Sequence, residues 1–235
     1  MYDAALRSTH RKSVQRDHVS AGTGTGEWEE NVFGTETMRV LPADTTGISA
    51  AIRILQAGGV VAHATETCYG LACDLTHPDA VTKLFNMKHR PLDQPVSALF
   101  ESFDQAKEYV EWDDEADALA KKYLPGPLTL ILPVKKTLPH ILYPILNSLG
   151  IRISSHPAAM ELVKRFGSPL STTSANLHGQ PNPYSVEDIL QQFSEQEFQP
   201  DLILDSGTLP PNPPSTVIDL TQRDARLLRR GMIDV

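Results

Sequence analysis

From residue 38 onward the chain alternates helix-period segments with short apolar runs of strand length, and this alternation limits the fold more than any other feature. Ile48, Ala51, Ile52 and Leu55 fall at i, i+3, i+4 and i+7 behind the capping trio Asp44-Thr45-Thr46, and Gly58-Gly59 stops the helix. The strand-like run VVAHAT follows at once. Further strands are expected at 38–41, 96–100, 128–134, 151–154, 170–173, 202–204, 216–220 and 226–229, and helices at 79–89, 104–110, 114–123, 157–166 and 185–193. The expectation is a single α/β (α+β) domain over 38–235, with one large twisted mixed sheet flanked by helices and a concave substrate site. Residues 1–37 mix Arg, Ser, Thr, Gly and Glu without apolar periodicity and read as a flexible leader.

Bulk properties exclude several function classes. The formal charge of −8 argues against a general electrostatic grip on nucleic acid, so an anionic ligand must find local cations. No window approaches the roughly 18 consecutive apolar residues of a membrane span, and no secretory h-region opens the chain, which makes the cytoplasm the expected location. His63, Cys68, Cys73 and His77 invite a zinc reading, but their spacing matches no usual knuckle, and buried thiols are the simpler expectation. The GTGTG run at Gly22–Gly26 lacks a preceding strand and a following Lys-Ser or Lys-Thr, so it is no phosphate loop.

Chemistry concentrates elsewhere. Lys88 continues the apolar stripe of Val81, Leu84 and Phe85, so its ammonium either snorkels to water or enters a concave site beside Arg90. Arg152 stands inside the apolar run GIRIS and must meet a protein carboxylate or a bound anion. Arg229 and Arg230 end the final strand on opposite faces. The run LSTTSANLHG, residues 170–179, places hydroxyls and an amide at a strand end, suited either to a ligand cradle or to Asx and Ser/Thr turns. Four prolines in DSGTLPPNPPS, residues 205–215, forbid a helix or a central strand and make a stiffened loop. Neither a G-x-S-x-G elbow nor a Walker A loop occurs.

In order along the chain, GGVVAHATETCYGLACD, NMKHRPLDQPVSALF, PGPLTLIL, GIRIS, STTSANLHGQP, PSTVIDL and LLRRGMI resemble the YrdC-like family of threonylcarbamoyl-AMP synthases. The resemblance runs from about Gly47 to Gly231, and the additional C-terminal domain of longer members is not expected. It implies synthesis of threonylcarbamoyl-AMP and pyrophosphate from L-threonine, bicarbonate and ATP with Mg2+, in service of the tRNA threonylcarbamoyl transferase machinery. Lys88 and Arg90, matching the family's K-x-R signature, would be catalytic and hold the triphosphate. Gln94, Ser148, Ser174, Asn182 and Arg229 would complete ATP binding, and Thr67, Arg152, Thr172 and Ser215 would take threonine. Thr172 and Ser174, two apart on one expected strand, would share a face and form a seam between the two substrates. The prolines before Ser215 are expected to cover the site, and no protein metal site is implied. Two departures stand out: Leu99 replaces a histidine found near threonine in some longer members, and Ala64 replaces a common proline. The rival readings are an RNA-binding module of the same fold, with a salt-sensitive contact at the Lys88–Arg90 rim, and a carbamoyl-adenylate domain of the hydrogenase-maturation type.

Overall fold

The computed structural model describes residues 38–89, 97–135 and 147–235. The expected leader, together with Arg90 and Gln94, lies outside the described residues. Met38–Val235 forms one compact unit.

Strand β1 (Arg39–Pro42) leads into helix α1 (Thr45–Gln56), whose first turn is held by the Asp44 carboxylate accepting from the amides of Thr46 and Gly47 at 2.9 Å each. Its apolar face, Ile48, Ala51 and Leu55, is buried in a core cluster with Leu162 and Val163 of α5 (Pro157–Phe166) and Leu202 and Leu204 of β9 (Leu202–Asp205). Strand β2 (Val61–Ala64) turns through residues 65–68 into β3 (Tyr69–Ala72), and both strands are buried throughout. The second strand was not expected from the sequence. YGLA carries a glycine and no alternation, because burial on both faces removes the polar positions that a period of two would show.

Helix α2 (Pro78–Lys88) starts on His77, whose ring accepts the Ala80 amide at 3.4 Å, and stops where His89 turns left-handed at φ 51°. After β4 (Ser97–Leu99) come α3 (Phe103–Tyr109), α4 (Asp114–Tyr123), β5 (Leu128–Pro133) and β6 (Ser148–Arg152). The third stretch of chain supplies α5, β7 (Leu170–Ser171), β8 (Thr173–Ser174), α6 (Val186–Phe193), β9, β10 (Thr216–Asp219) and β11 (Arg226–Arg229).

The expected α/β class holds, with its mixed sheet divided in two. One sheet runs β1-β9-β2-β3-β8 and the other β11-β10-β5-β6-β4-β7. They meet where the chain beyond β3 pairs with β7: the Ser171 amide donates to the Cys73 carbonyl at 2.9 Å, and the Cys73 amide donates to Ser171 Oγ at 2.8 Å. The expected strand 170–173 is therefore two strands. β7 pairs with β4 in the six-stranded sheet, β8 pairs with β3 in the five-stranded sheet, and Thr172 stands at the crossing with its amide on the Ser97 carbonyl at 2.8 Å. The shared-face placement of Thr172 and Ser174 is thereby corrected, since a period of two does not carry across a change of sheet.

Candidate active site

Lys88 is the last residue of α2 and is 4% exposed. Its ammonium does not run out to water. It donates to the carbonyl of Ser174, to the carbonyl of Asn176 at 2.9 Å and to Asn176 Oδ1 at 3.2 Å. Asn176 is itself buried and braced: Oδ1 accepts from the Ser174 hydroxyl and Nδ2 donates to the Gln180 carbonyl. The polar run after β7 thus serves both as a turn network and as the seat of a buried cation.

Arg152 ends β6 in the parallel register opposite Leu99, so the leucine of the first departure is its immediate neighbour in the sheet. The anion that a buried guanidinium requires is Glu66, in the turn between β2 and β3, whose Oε1 accepts from Arg152 Nη2. Sequence reading did not select Glu66, although its place in Thr-Glu-Thr beside a buried strand is unusual for a carboxylate. Burial opposes its ionisation, but the Arg152 charge, the Ser154 hydroxyl and the Ser155 amide outweigh that and hold the carboxyl below its ordinary value.

The remaining residues close the cluster. Thr67 is buried with its hydroxyl 2.9 Å from that of Thr65, which donates to the Cys68 carbonyl at 2.7 Å. Ser215 is buried beside Thr129, their hydroxyls 2.9 Å apart. Arg229 folds back onto it, Nε donating to the Ser215 carbonyl at 3.0 Å and Nη2 to its hydroxyl at 2.9 Å. Arg230 lies just beyond β11, is exposed and pairs with Asp234 at 3.4 Å.

Cys68 lies within electrostatic reach of this arrangement. Burial raises its thiol pKa while the charges of Arg152 and Lys88 pull it down. Arg229 is lowered by burial and then by the Arg152 charge, and it too feels Cys68. Lys88, Arg152 and Arg229, from three distant parts of the chain, therefore share one electrostatic neighbourhood. Thr172 is buried at the sheet crossing beside Ser174. Ser148 lies at the far end of β6, about 13 Å along the strand from Arg152. Among the described residues no bond ties Ser148 or Asn182 to the cluster. Of the four zinc candidates, His77 caps α2 and both thiols are free; among the described residues no three His, Cys, Asp or Glu converge.

A loop closes one side. The Tyr69 hydroxyl donates to the Gly207 carbonyl at 2.7 Å and accepts the Ser206 amide at 2.9 Å. The Leu209 amide donates to the Tyr184 carbonyl at 2.7 Å, and the Tyr184 hydroxyl donates to the Asn212 carbonyl at 3.1 Å. Asn212 Nδ2 donates to the Glu66 carbonyl at 3.0 Å. The proline segment is thus strapped to the turn that carries Glu66 and Thr67.

Residues 53–231 match the family model Sua5_yciO_yrdC, described as telomere recombination. The chain is 35% identical over 185 residues to the threonylcarbamoyl-AMP synthase of Pyrococcus abyssi, covering 78% of this chain and 54% of that protein. It is 33% identical over 151 residues to the synthase of Photobacterium profundum, covering 63% of this chain and 82% of that one. Among solved structures, Pyrococcus abyssi Sua5 complexed with L-threonine superposes with a TM-score of 0.74 at 34% identity, over 82% of this chain and 56% of the other. The chain thus spans about half the length of the Pyrococcus relative that it matches. Among the described residues no helix is long and apolar enough to cross a membrane.

Proposed function

The chain belongs to the Sua5/YciO/YrdC family, and on that premise we propose that it is a threonylcarbamoyl-AMP synthase acting in the cytoplasm. As a nucleotidyltransferase it joins L-threonine, bicarbonate and ATP, with magnesium carried on the triphosphate, into threonylcarbamoyl-AMP and pyrophosphate. The product would feed a tRNA threonylcarbamoyl transferase. One observation carries the reading: Lys88, Arg152 and Arg229, from three distant parts of the chain, share one electrostatic neighbourhood at Cys68, with Lys88 seated on the Ser174 carbonyl and Arg229 on the Ser215 hydroxyl.

The chemistry requires no protein nucleophile. Threonine's amine takes up bicarbonate-derived CO2 to give N-carboxy-threonine. A carbamate oxygen then attacks the α-phosphorus, and the bond to the pyrophosphate oxygen breaks. The protein's part is alignment of two anions and fixed positive charge where the leaving group forms. Lys88, with Arg90, and Arg229 serve the nucleotide, joined by Gln94, Ser148, Ser174 and Asn182. Arg152, Thr67, Thr172 and Ser215 serve the amino acid. Ser215 bridges the halves, since its hydroxyl accepts from Arg229 and neighbours Thr129. The strap at 206–214 excludes water from a labile carbamate and a hydrolysable adenylate.

The test is pyrophosphate release from ATP, magnesium, bicarbonate and each amino acid in turn. Release that depends on both threonine and bicarbonate supports the synthase. Release indifferent to either, or none, rejects it and leaves an RNA-binding domain of this fold as the reading to pursue.

A further inference from the structure

Of the cations around Cys68, Arg152 is compensated where it stands. Glu66 Oε1 accepts from Arg152 Nη2, while Oε2 accepts from the Ser154 hydroxyl and from the Ser155 amide at 3.2 Å. The backbone of Glu66 is fixed as well, through Asn212 Nδ2. The two charged side chains are 10% and 12% exposed, so the carboxylate cannot leave Arg152 without abandoning several donors in a poorly solvated place. Arg229 is held differently. Among the described residues its bonds go to the neutral hydroxyl and carbonyl of Ser215, which position the guanidinium without cancelling its charge.

We propose that Glu66 sorts the two anionic substrates of the synthase reaction, keeping the polyanionic triphosphate of ATP out of the amino-acid pocket at Arg152. The inference rests on the synthase reading above. A polyanion gains from each fixed cation in proportion to its own charge, whereas a single carboxylate gains only once. Cancelling the Arg152 charge therefore penalises a triphosphate several times more than an amino acid. The amino acid still finds a planar guanidinium whose N–H groups suit one carboxylate or carbamate. Discrimination comes from making the wrong site unattractive rather than from improving the right one. Glu66 is thus a positioning and specificity residue, acting through Arg152.

The probe is tripolyphosphate, titrated calorimetrically into the full chain. Glu66→Gln keeps the side-chain shape and an oxygen acceptor while removing the charge. It should bind tripolyphosphate about tenfold more tightly than the wild type, because a cation is unmasked. Adding Arg152→Gln should return the affinity to within about twofold of wild type. In steady state, tripolyphosphate should compete with threonine in Glu66→Gln and not in the wild type. Equal affinities of wild type and Glu66→Gln, or a gain that persists in the double variant, overturn the proposal. Should Glu66→Gln fail to fold, Arg152→Gln alone decides, since its bare carboxylate should weaken tripolyphosphate binding severalfold and an unchanged affinity would refute it. A wild type that releases no pyrophosphate with threonine rejects the synthase reading, while the tripolyphosphate comparison stands on its own.

Discussion

Lys88 and Asn176, 88 residues apart, are joined twice: the lysine ammonium donates to the asparagine's backbone carbonyl at 2.9 Å and to its side-chain oxygen at 3.2 Å. Asn176 therefore aims the cation. Asn176→Ala is expected to raise KM for ATP about tenfold with less than a twofold change for threonine, because a misplaced charge loses alignment before it loses affinity elsewhere. Lys88→Met, which keeps the stem and removes the charge, should abolish pyrophosphate release. Equal effects of Asn176→Ala on both substrates would show the residue to be merely structural.

The Arg152–Glu66 pair should contribute to the acid sensitivity of the fold. Arg152→Ala leaves a carboxylate 12% exposed without its cation and should cost about 3–5 kcal/mol in urea unfolding. Glu66 has a folded pKa below its unfolded value, so its stabilisation is complete above the ordinary carboxylate range and is lost as pH falls through the lowered value. Glu66→Gln should flatten the stability profile below about pH 4.5, the usual carboxyl value.

His63 predicts a second, higher window. It is fully buried on β2 with Nδ1 on the Ala64 carbonyl at 3.1 Å, and burial lowers its pKa from 6.5 to about 4. The unfolded chain binds a proton at this position below pH 6.5 and the folded chain does not until about 4, so stability falls across that interval. The loss attributable to His63 is about 3 kcal/mol at its fullest. A His63 imidazole resonance that titrates above pH 6 in the folded protein would contradict this.

Asn212 links the proline strap to Glu66, and Tyr184 holds Asn212. Asn212→Ala is expected to leave ATP turnover intact while uncoupling it, with AMP released in about tenfold excess over carbamoyl-adenylate product, because water reaches the intermediates. Balanced product and pyrophosphate in this variant would remove the strap from the mechanism.

Gly231 lies where a Cβ would stand 2.1 Å from the Pro214 carbonyl oxygen and 2.5 Å from the Thr216 nitrogen. Gly231→Ala must displace backbone rather than a side-chain tip, and should cost about 1–3 kcal/mol while pulling Arg229 away from Ser215. A thermal melt and KM for ATP should both move, and a change in only one would separate packing from Arg229 placement.

Much of this was readable along the chain, and the failures have local causes. The helix over 114–123 and the one over 157–166 match to the residue because apolar spacing and caps agree. β3 was missed because a strand buried on both faces has no alternation. β6 begins three residues earlier than the expected strand 151–154, since Ser148, Leu149 and Gly150 pair with β5 although their residue types do not favour a strand. The run 170–174 looked like one strand because nothing local encodes a change of sheet, which depends on where β3 and β4 lie.

Most element types, the family and the need for each buried charge to find a counterpart are legible along the chain, because periodicity, capping and desolvation act within a few residues. Which counterpart each charge found was set by long-range packing. Arg152 met Glu66 and Lys88 met Asn176 across 86 and 88 residues, and such pairings depend on how two sheets join at Ser171, a relation carried by no stretch of chain alone.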